Sequence, residues 1–161
     1  MGDDPKVEVI TPPDTLKHKV KAGMPGGVDE KVLERAEAVV AAMGGEFVHW
    51  AKKDLSSLQR ALDGLKAGTA EQKESLRTIF QISHDIKGQG GSFDYGLLTA
   101  IGDSLCRFIE EKDRAGAAEI DAIKLHVEAL KLVLTDRLKG DGGDTGAKLL
   151  EGLRRVVDKL S

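Results

Sequence analysis

The chain lacks most of what would staple it, anchor it in a bilayer or draw it to a polyanion. A single cysteine, Cys106, excludes an internal disulfide and fits a reducing compartment; it is expected to be a buried helix residue. No apolar run approaches the roughly 18–20 residues of a membrane span, and Met1-Gly2-Asp3-Asp4-Pro5 has neither the basic start nor the apolar stretch of a secretory signal. Excess positive charge is missing as well. With 24 Lys and Arg against 27 Asp and Glu, a net charge of −3, the balance does not argue for nucleic acid or an anionic membrane surface. A soluble, cytoplasmic protein is expected.

Proline is scarce and confined: all four prolines fall in residues 1–27, a segment without sustained helical period that is expected to be a flexible tail. Within it Val7, Val9 and Ile10 alternate as a short strand does, and such a run is suited to clipping onto the domain or a partner. A chain of 161 residues holds one domain with a real core, burying about 68–70 % of the surface its unfolded form exposes. From residue 28 to 161 the apolar spacing is helical almost throughout, so residues 28–161 are expected to form the domain.

A first helix is expected to open at Asp29, carrying Val32, Ala36, Val39, Val40, Met43, Phe47 and Trp50, with a break or bend at Gly44-Gly45. Val48, Ala51, Leu55, Leu58, Leu62 and Leu65 then form a core-facing stripe ending at Gly68, with Thr69 placed to cap the next helix. That helix is expected over about 70–93, and the following one, with Leu98, Ile101, Leu105 and Phe108 on its apolar face, packs antiparallel to it. A charged connection from Asp113 to Gly116 leads to the stripe Ile120, Ile123, Val127, Leu130, Leu134 and Leu138. After a flexible break at residues 139–143, a last amphipathic helix is expected over about 145–160, through Leu149, Leu150, Leu153, Val156, Val157 and Leu160. The prediction is an all-α fold: an antiparallel four-helix bundle, with its core over about 46–139 and additional N- and C-terminal helices.

The chemistry concentrates in Ile82-Ser83-His84-Asp85-Ile86-Lys87-Gly88-Gln89-Gly90-Gly91-Ser92-Phe93. If Ile79, Ile82 and Ile86 face the core, then at about 100° per residue His84 falls on the opposite side, with Arg77, Phe80, Lys87, Gly88 and Gly91 around it. Three interior glycines cost a helix about 2–3 kcal/mol relative to alanine. Two readings account for that cost. Without β-carbons at Gly88 and Gly91 another protein's surface can come close to the imidazole, or the helix ends near Gly88 with a glycine cap.

The motif His-x-x-Lys-Gly-x-x-Gly-Ser, carried by His84, Lys87, Gly88, Gly91 and Ser92, resembles the signature of histidine-containing phosphotransfer (HPt) domains of two-component phosphorelays. The resemblance spans about Phe47 to Leu138, with Ile86 at the hydrophobic position two after the histidine, and it departs from the common pattern at Phe93-Asp94-Tyr95-Gly96. It implies that His84 accepts a phosphoryl group from the phospho-aspartate of a receiver domain and passes it to another receiver. Response-regulator receivers are the implied partners, with a hybrid histidine kinase as a further candidate. The magnesium ion and most catalytic groups belong to the receiver, and this chain needs no cofactor or metal of its own.

Histidine suits that role, since its ordinary pKa of about 6.5 leaves a ring nitrogen lone pair free at cellular pH. Phosphoryl transfer asks mainly for in-line geometry and charge stabilisation. Lys87, one turn on, supplies a cation for a group bearing roughly −1.5 to −2 charges. Phe80, Arg77, Gln81, Gly88 and Gly91 are the expected docking residues; a core position for Phe80 and a merely solvated rim for Arg77, Gln81 and Asp85 are the plainer alternatives. Asp85 can also tune the basicity of its neighbour.

Rival functions find less support. Ser83-His84-Asp85 also resembles the histidine box of a sensor-kinase dimerisation domain, but no Pro-Leu follows and no glycine-rich ATP loop is present, since the glycines near Gly142 lack a following Lys-Ser/Thr. Adjacent helix residues point about 100° apart, so neither Ser56-Ser57 nor Ser83-His84-Asp85 makes a triad. His18, His49 and His126 have no second ligand at metal spacing and are expected at the surface. A non-catalytic helical adaptor is the alternative from another class. The expected protein is a monomeric phosphocarrier without kinase activity of its own.

Overall fold

The computed structural model describes residues 29–68 and 71–161. The N-terminal tail, with its alternating Val7, Val9 and Ile10 and with His18, and the expected cap Thr69 lie outside the described residues. Five α-helices follow one another: α1 (Glu30–Lys66), α2 (Gln72–Gly90), α3 (Gly96–Ile109), α4 (Ala117–Thr135) and α5 (Gly143–Leu160). A turn of 3₁₀ helix at Gly91–Phe93 continues α2, and no strand occurs among the described residues.

The first helix departs from expectation in two ways. Gly44-Gly45 neither breaks nor ends it: α1 is one helix of 37 residues. Two glycines cost roughly 1 kcal/mol each, whereas stopping and restarting a helix requires a second unfavourable nucleus, and Ala41, Ala42, Met43 and Glu46 are good helix formers on either side. Second, the described residues up to Ala42 form a unit of their own, in which Val32, Leu33, Val39 and Val40 stand 49–69 % exposed. The periodicity there marks an apolar face that no core of the described residues covers.

From Met43 onward the apolar stripes converge on one core. Leu58, Leu62, Leu65, Ile79, Leu98, Ile101, Leu105, Ile123, Val127 and Leu130 are fully buried, each worth about 1.5–3 kcal/mol relative to exposure. α5 adds Leu153, with Leu149, Leu150, Val156, Val157 and Leu160 half-buried against the same core. Helices α2 and α3 run antiparallel: Phe80 meets Cys106, Lys87 meets Asp103 and Thr99, and Gly90 meets Thr99. Cys106 is buried as expected, its Sγ 3.8 Å from the Phe80 carbonyl; burial pushes its thiol up to about 11, so it is no nucleophile at neutral pH.

His126 is not a surface histidine: its exposure is 0 %. It sits three residues after Ile123 and four before Leu130, on the buried stripe of α4. Its Nδ1–H donates to the Ala122 carbonyl at 2.7 Å, and its Nε2 lies 2.9 Å from Ser104 Oγ, which donates to it in that tautomer. Burial lowers its pKa, partly opposed by the Ala122 hydrogen bond. A depressed folded-state pKa means that the unfolded chain binds the proton first, so the contribution is complete above about pH 6.5 and is lost as pH falls. The urea midpoint is expected to drop between pH 7.5 and 5.5, with a slope of at most about 1.4 kcal/mol per pH unit from this one proton. In His126→Gln the drop shrinks; an undiminished drop assigns it to other groups.

The segment at residues 139–143, expected to be flexible, is tied to the end of the histidine helix. Gly140 N–H donates to the Asp94 carbonyl at 2.7 Å and Leu97 N–H to the Gly140 carbonyl at 2.8 Å. Lys139 Nζ lies 4.2 Å from the Tyr95 ring centroid, while Phe93 stacks on Phe47 at 4.6 Å. Positive φ at Gly140, Gly142 and Gly143 allows the sharp path.

Candidate functional site

Helix α2 turns its two faces as the spacing predicts. Ile79 and Ile86 are buried, Ile82 is half-buried, and His84 is exposed on the other side. One turn earlier the half-buried Phe80 ring lies 6.1 Å from the imidazole, centroid to centroid, within the range of a favourable aromatic contact. Phe80 packs against the core, the plainer of its two readings, and its ring borders the histidine. Gln81 and Asp85 are exposed, and Gln81 Nε2 donates to Asp85 Oδ1 at 3.2 Å. Arg77, two turns before His84, is exposed, its Nη1 3.8 Å from Glu74 Oε2.

The glycines divide by face. Gly88 is exposed, with nothing within 4 Å of a β-carbon built there, and at Gly91 the nearest atom is Thr99 Oγ1 at 3.8 Å. A β-carbon would fit at either position. Gly90 is buried, and a β-carbon on it would come within 2.8 Å of Thr99 Oγ1 and 2.9 Å of the Tyr95 carbonyl. Its role is close packing of α2 on α3. The glycine cap near Gly88 is not realised: α2 runs on to Gly90, the 3₁₀ turn follows, and Asp94 rather than a glycine takes the left-handed conformation, at φ 62°.

Lys87 is placed differently from a free cation. Its Nζ lies 2.7 Å from Asp103 Oδ1 on α3, and Asp103 Oδ2 lies 3.1 Å from Arg107 Nη2. The Lys87 carbonyl accepts a hydrogen bond from Thr99 Oγ1 at 2.9 Å, which fixes the last turn of α2 against α3. The Lys87 hydrogen bond, helped by Arg107, holds the Asp103 carboxyl below its ordinary pKa despite partial burial.

Asp103 and Arg107 escape sequence reasoning because only the packing of α3 on α2 brings them to Lys87. Asp54 of α1 also belongs to this neighbourhood: burial, then the negative charge of Asp85, raises its carboxyl pKa. Ser83, beside the histidine but facing inward, is buried with no hydrogen-bond partner for its hydroxyl among the described residues.

Two grooves among the described residues lie away from the histidine. One groove of about 720 Å³ is lined by Asp103, Ser104, Arg107, Val157 and Leu160, and another of about 480 Å³ by Lys52, Leu55, Gln59, Lys131 and Leu134; neither includes His84. His84 stands exposed on α2. Among the described residues no group of three His, Cys, Asp or Glu is placed to hold a metal ion, and no helix is long and apolar enough to cross a membrane.

Compared with known families, the chain matches the family model for the Hpt domain over residues 42–137. No curated protein and no solved structure shows significant similarity to the chain.

Proposed function

We propose that this chain, which belongs to the Hpt domain family, accepts a phosphoryl group on His84 from a receiver-domain phospho-aspartate and hands it to a second receiver. The observation that carries the reading is an exposed imidazole, on the family's motif, next to a helix face bared by Gly88 and Gly91. Family membership implies a phosphotransfer module of a phosphorelay, and it supports reading the chain as a phosphocarrier without kinase activity of its own.

The chemistry needs little from the chain. A ring-nitrogen lone pair of His84 attacks phosphorus in line; the N–P bond forms while the acyl-phosphate P–O bond breaks, and the aspartate carboxylate leaves with the electron pair. The receiver brings the magnesium ion. The bared face admits the receiver to within reach of the ring, with Phe80, Gln81 and Arg77 as contacts at its edge. We take the frame to be an antiparallel four-helix bundle built on the second half of α1 and on α2, α3 and α4. α5 is an addition, and the whole acts as a cytoplasmic monomer with a separate N-terminal tail.

The test is phosphate incorporation from a panel of acetyl-phosphate-charged receiver domains, read as acid-labile label on the chain. Label from at least one receiver is expected; none from any, with the chain folded, moves the reading to a helical adaptor. Lys87→Ala is expected to lower the equilibrium share of label on the chain by about tenfold, the order of one charged hydrogen bond. An unaltered share removes Lys87 from the reaction.

A further inference from the structure

Lys87 cannot serve a phosphoryl group and Asp103 at full strength together. Three residues after His84, its stem leaves α2 beside the histidine's, yet its ammonium is held 2.7 Å from Asp103 Oδ1. The other carboxylate oxygen already has a second cation, Arg107 Nη2, at 3.1 Å. The Asp103 side chain is 28 % exposed and that of Lys87 39 % exposed, so neither charge sits freely in water.

We propose that Asp103 is a positioning residue for the His84 reaction: its carboxylate holds the Lys87 ammonium when the imidazole is bare, and Arg107 replaces Lys87 on Asp103 when the phosphoryl group arrives. The inference rests on the reading that His84 carries the phosphoryl group. The driving force is charge. A phosphorylated side chain brings roughly −1.5 to −2 charges and three strong acceptor oxygens, against the single charge of Asp103, and the four-carbon stem of lysine lets its ammonium swing between the two. Arg107 makes the exchange cheap. Without it, releasing Lys87 would leave a partly buried carboxylate unpaired, which is costly.

Arg107 and Asp103 therefore act with opposite signs. Removing the carboxylate in Asp103→Asn frees Lys87 for the phosphoryl group and favours the phosphorylated form. Removing the second cation in Arg107→Gln leaves Asp103 dependent on Lys87, which disfavours that form. Both effects pass through Lys87 and vanish without its ammonium.

The experiment measures the equilibrium constant for phosphate between a charged receiver and the full chain, from acid-labile label on each. Docking strength cancels from this constant, so a weaker or stronger fit to the receiver surface does not move it. Asp103→Asn is expected to raise the constant about threefold and Arg107→Gln to lower it about twofold, as befits partly exposed ion pairs. Asp103→Glu restores the wild-type value, and in a Lys87→Gln background neither substitution changes the constant. Effects of the same sign, no effect of Asp103→Asn, or an Asp103→Asn effect that persists without Lys87 overturns the proposal. Absence of label on the wild-type chain overturns the underlying reading instead, and is recognised before any variant is made.

Discussion

His84→Gln is expected to abolish acid-labile phosphate incorporation, by on the order of 10³-fold or more, as when an enzyme's nucleophile is removed. Glutamine keeps polarity and approximate size at position 84, but its amide nitrogen has no available lone pair to attack phosphorus. The fold should scarcely notice. His84 is exposed and its ring makes no hydrogen bond among the described residues, so the loss is confined to a 6.1 Å contact with the Phe80 ring, and exposed substitutions of this kind move stability within about 0.5 kcal/mol. Circular dichroism and the thermal midpoint therefore stay near wild type. The result is specific because the other described histidines compete poorly: His126 is sealed in the core with both ring nitrogens engaged, and His49, though exposed on α1, is not part of the His-x-x-Lys-Gly motif. Label on His84→Gln at the wild-type level would move the nucleophile elsewhere and end the phosphocarrier reading at this residue.

The position of His84 was legible in the sequence because it depends on one helix alone. A period of 3.6 residues through Ile79, Ile82 and Ile86 is enough to turn His84 outward, and the same logic located the buried stripes of α3 and α4 and the half-buried face of α5. His126 was equally legible, since it falls between Ile123 and Leu130 on one stripe; a polar residue there needs buried partners, and Ser104 and the Ala122 carbonyl supply them. Periodicity does not say whether an apolar face has a partner, which is why Val32, Leu33, Val39 and Val40 follow the core pattern while standing exposed. Nor does it pair charges across helices. The engagement of Lys87 with Asp103 and Arg107, and the docking of residues 139 and 140 on the Asp94–Leu97 turn, arise only when distant segments meet.

Gly88 and Gly90, two residues apart and so on opposite faces of α2, should separate transfer from folding. Gly88→Leu is expected to leave the domain folded, with stability unchanged or raised by up to about 1 kcal/mol, because the site is open and glycine is the poorer helix former. Its side chain would occupy the space beside His84, so transfer from a charged receiver falls while the melting curve stays. Gly90→Ala reverses the pattern. The new β-carbon would lie 2.8 Å from Thr99 Oγ1, 2.9 Å from the Tyr95 carbonyl and 3.2 Å from Leu98 Cβ. The threonine can rotate, at the expense of its bond to the Lys87 carbonyl, but the Tyr95 carbonyl is held by the N–H groups of Leu98 and Thr99. Helix α3 must therefore move away from α2, an overpacking cost of about 1–3 kcal/mol that exceeds the gain in helix propensity. Urea unfolding should show a lowered midpoint for Gly90→Ala and none for Gly88→Leu, whereas phosphate transfer, measured where both remain folded, should fall for Gly88→Leu by more than for Gly90→Ala. Normal transfer by Gly88→Leu would remove clearance as the reason for the bared face, and an unshifted midpoint for Gly90→Ala would show that α3 gives way without cost.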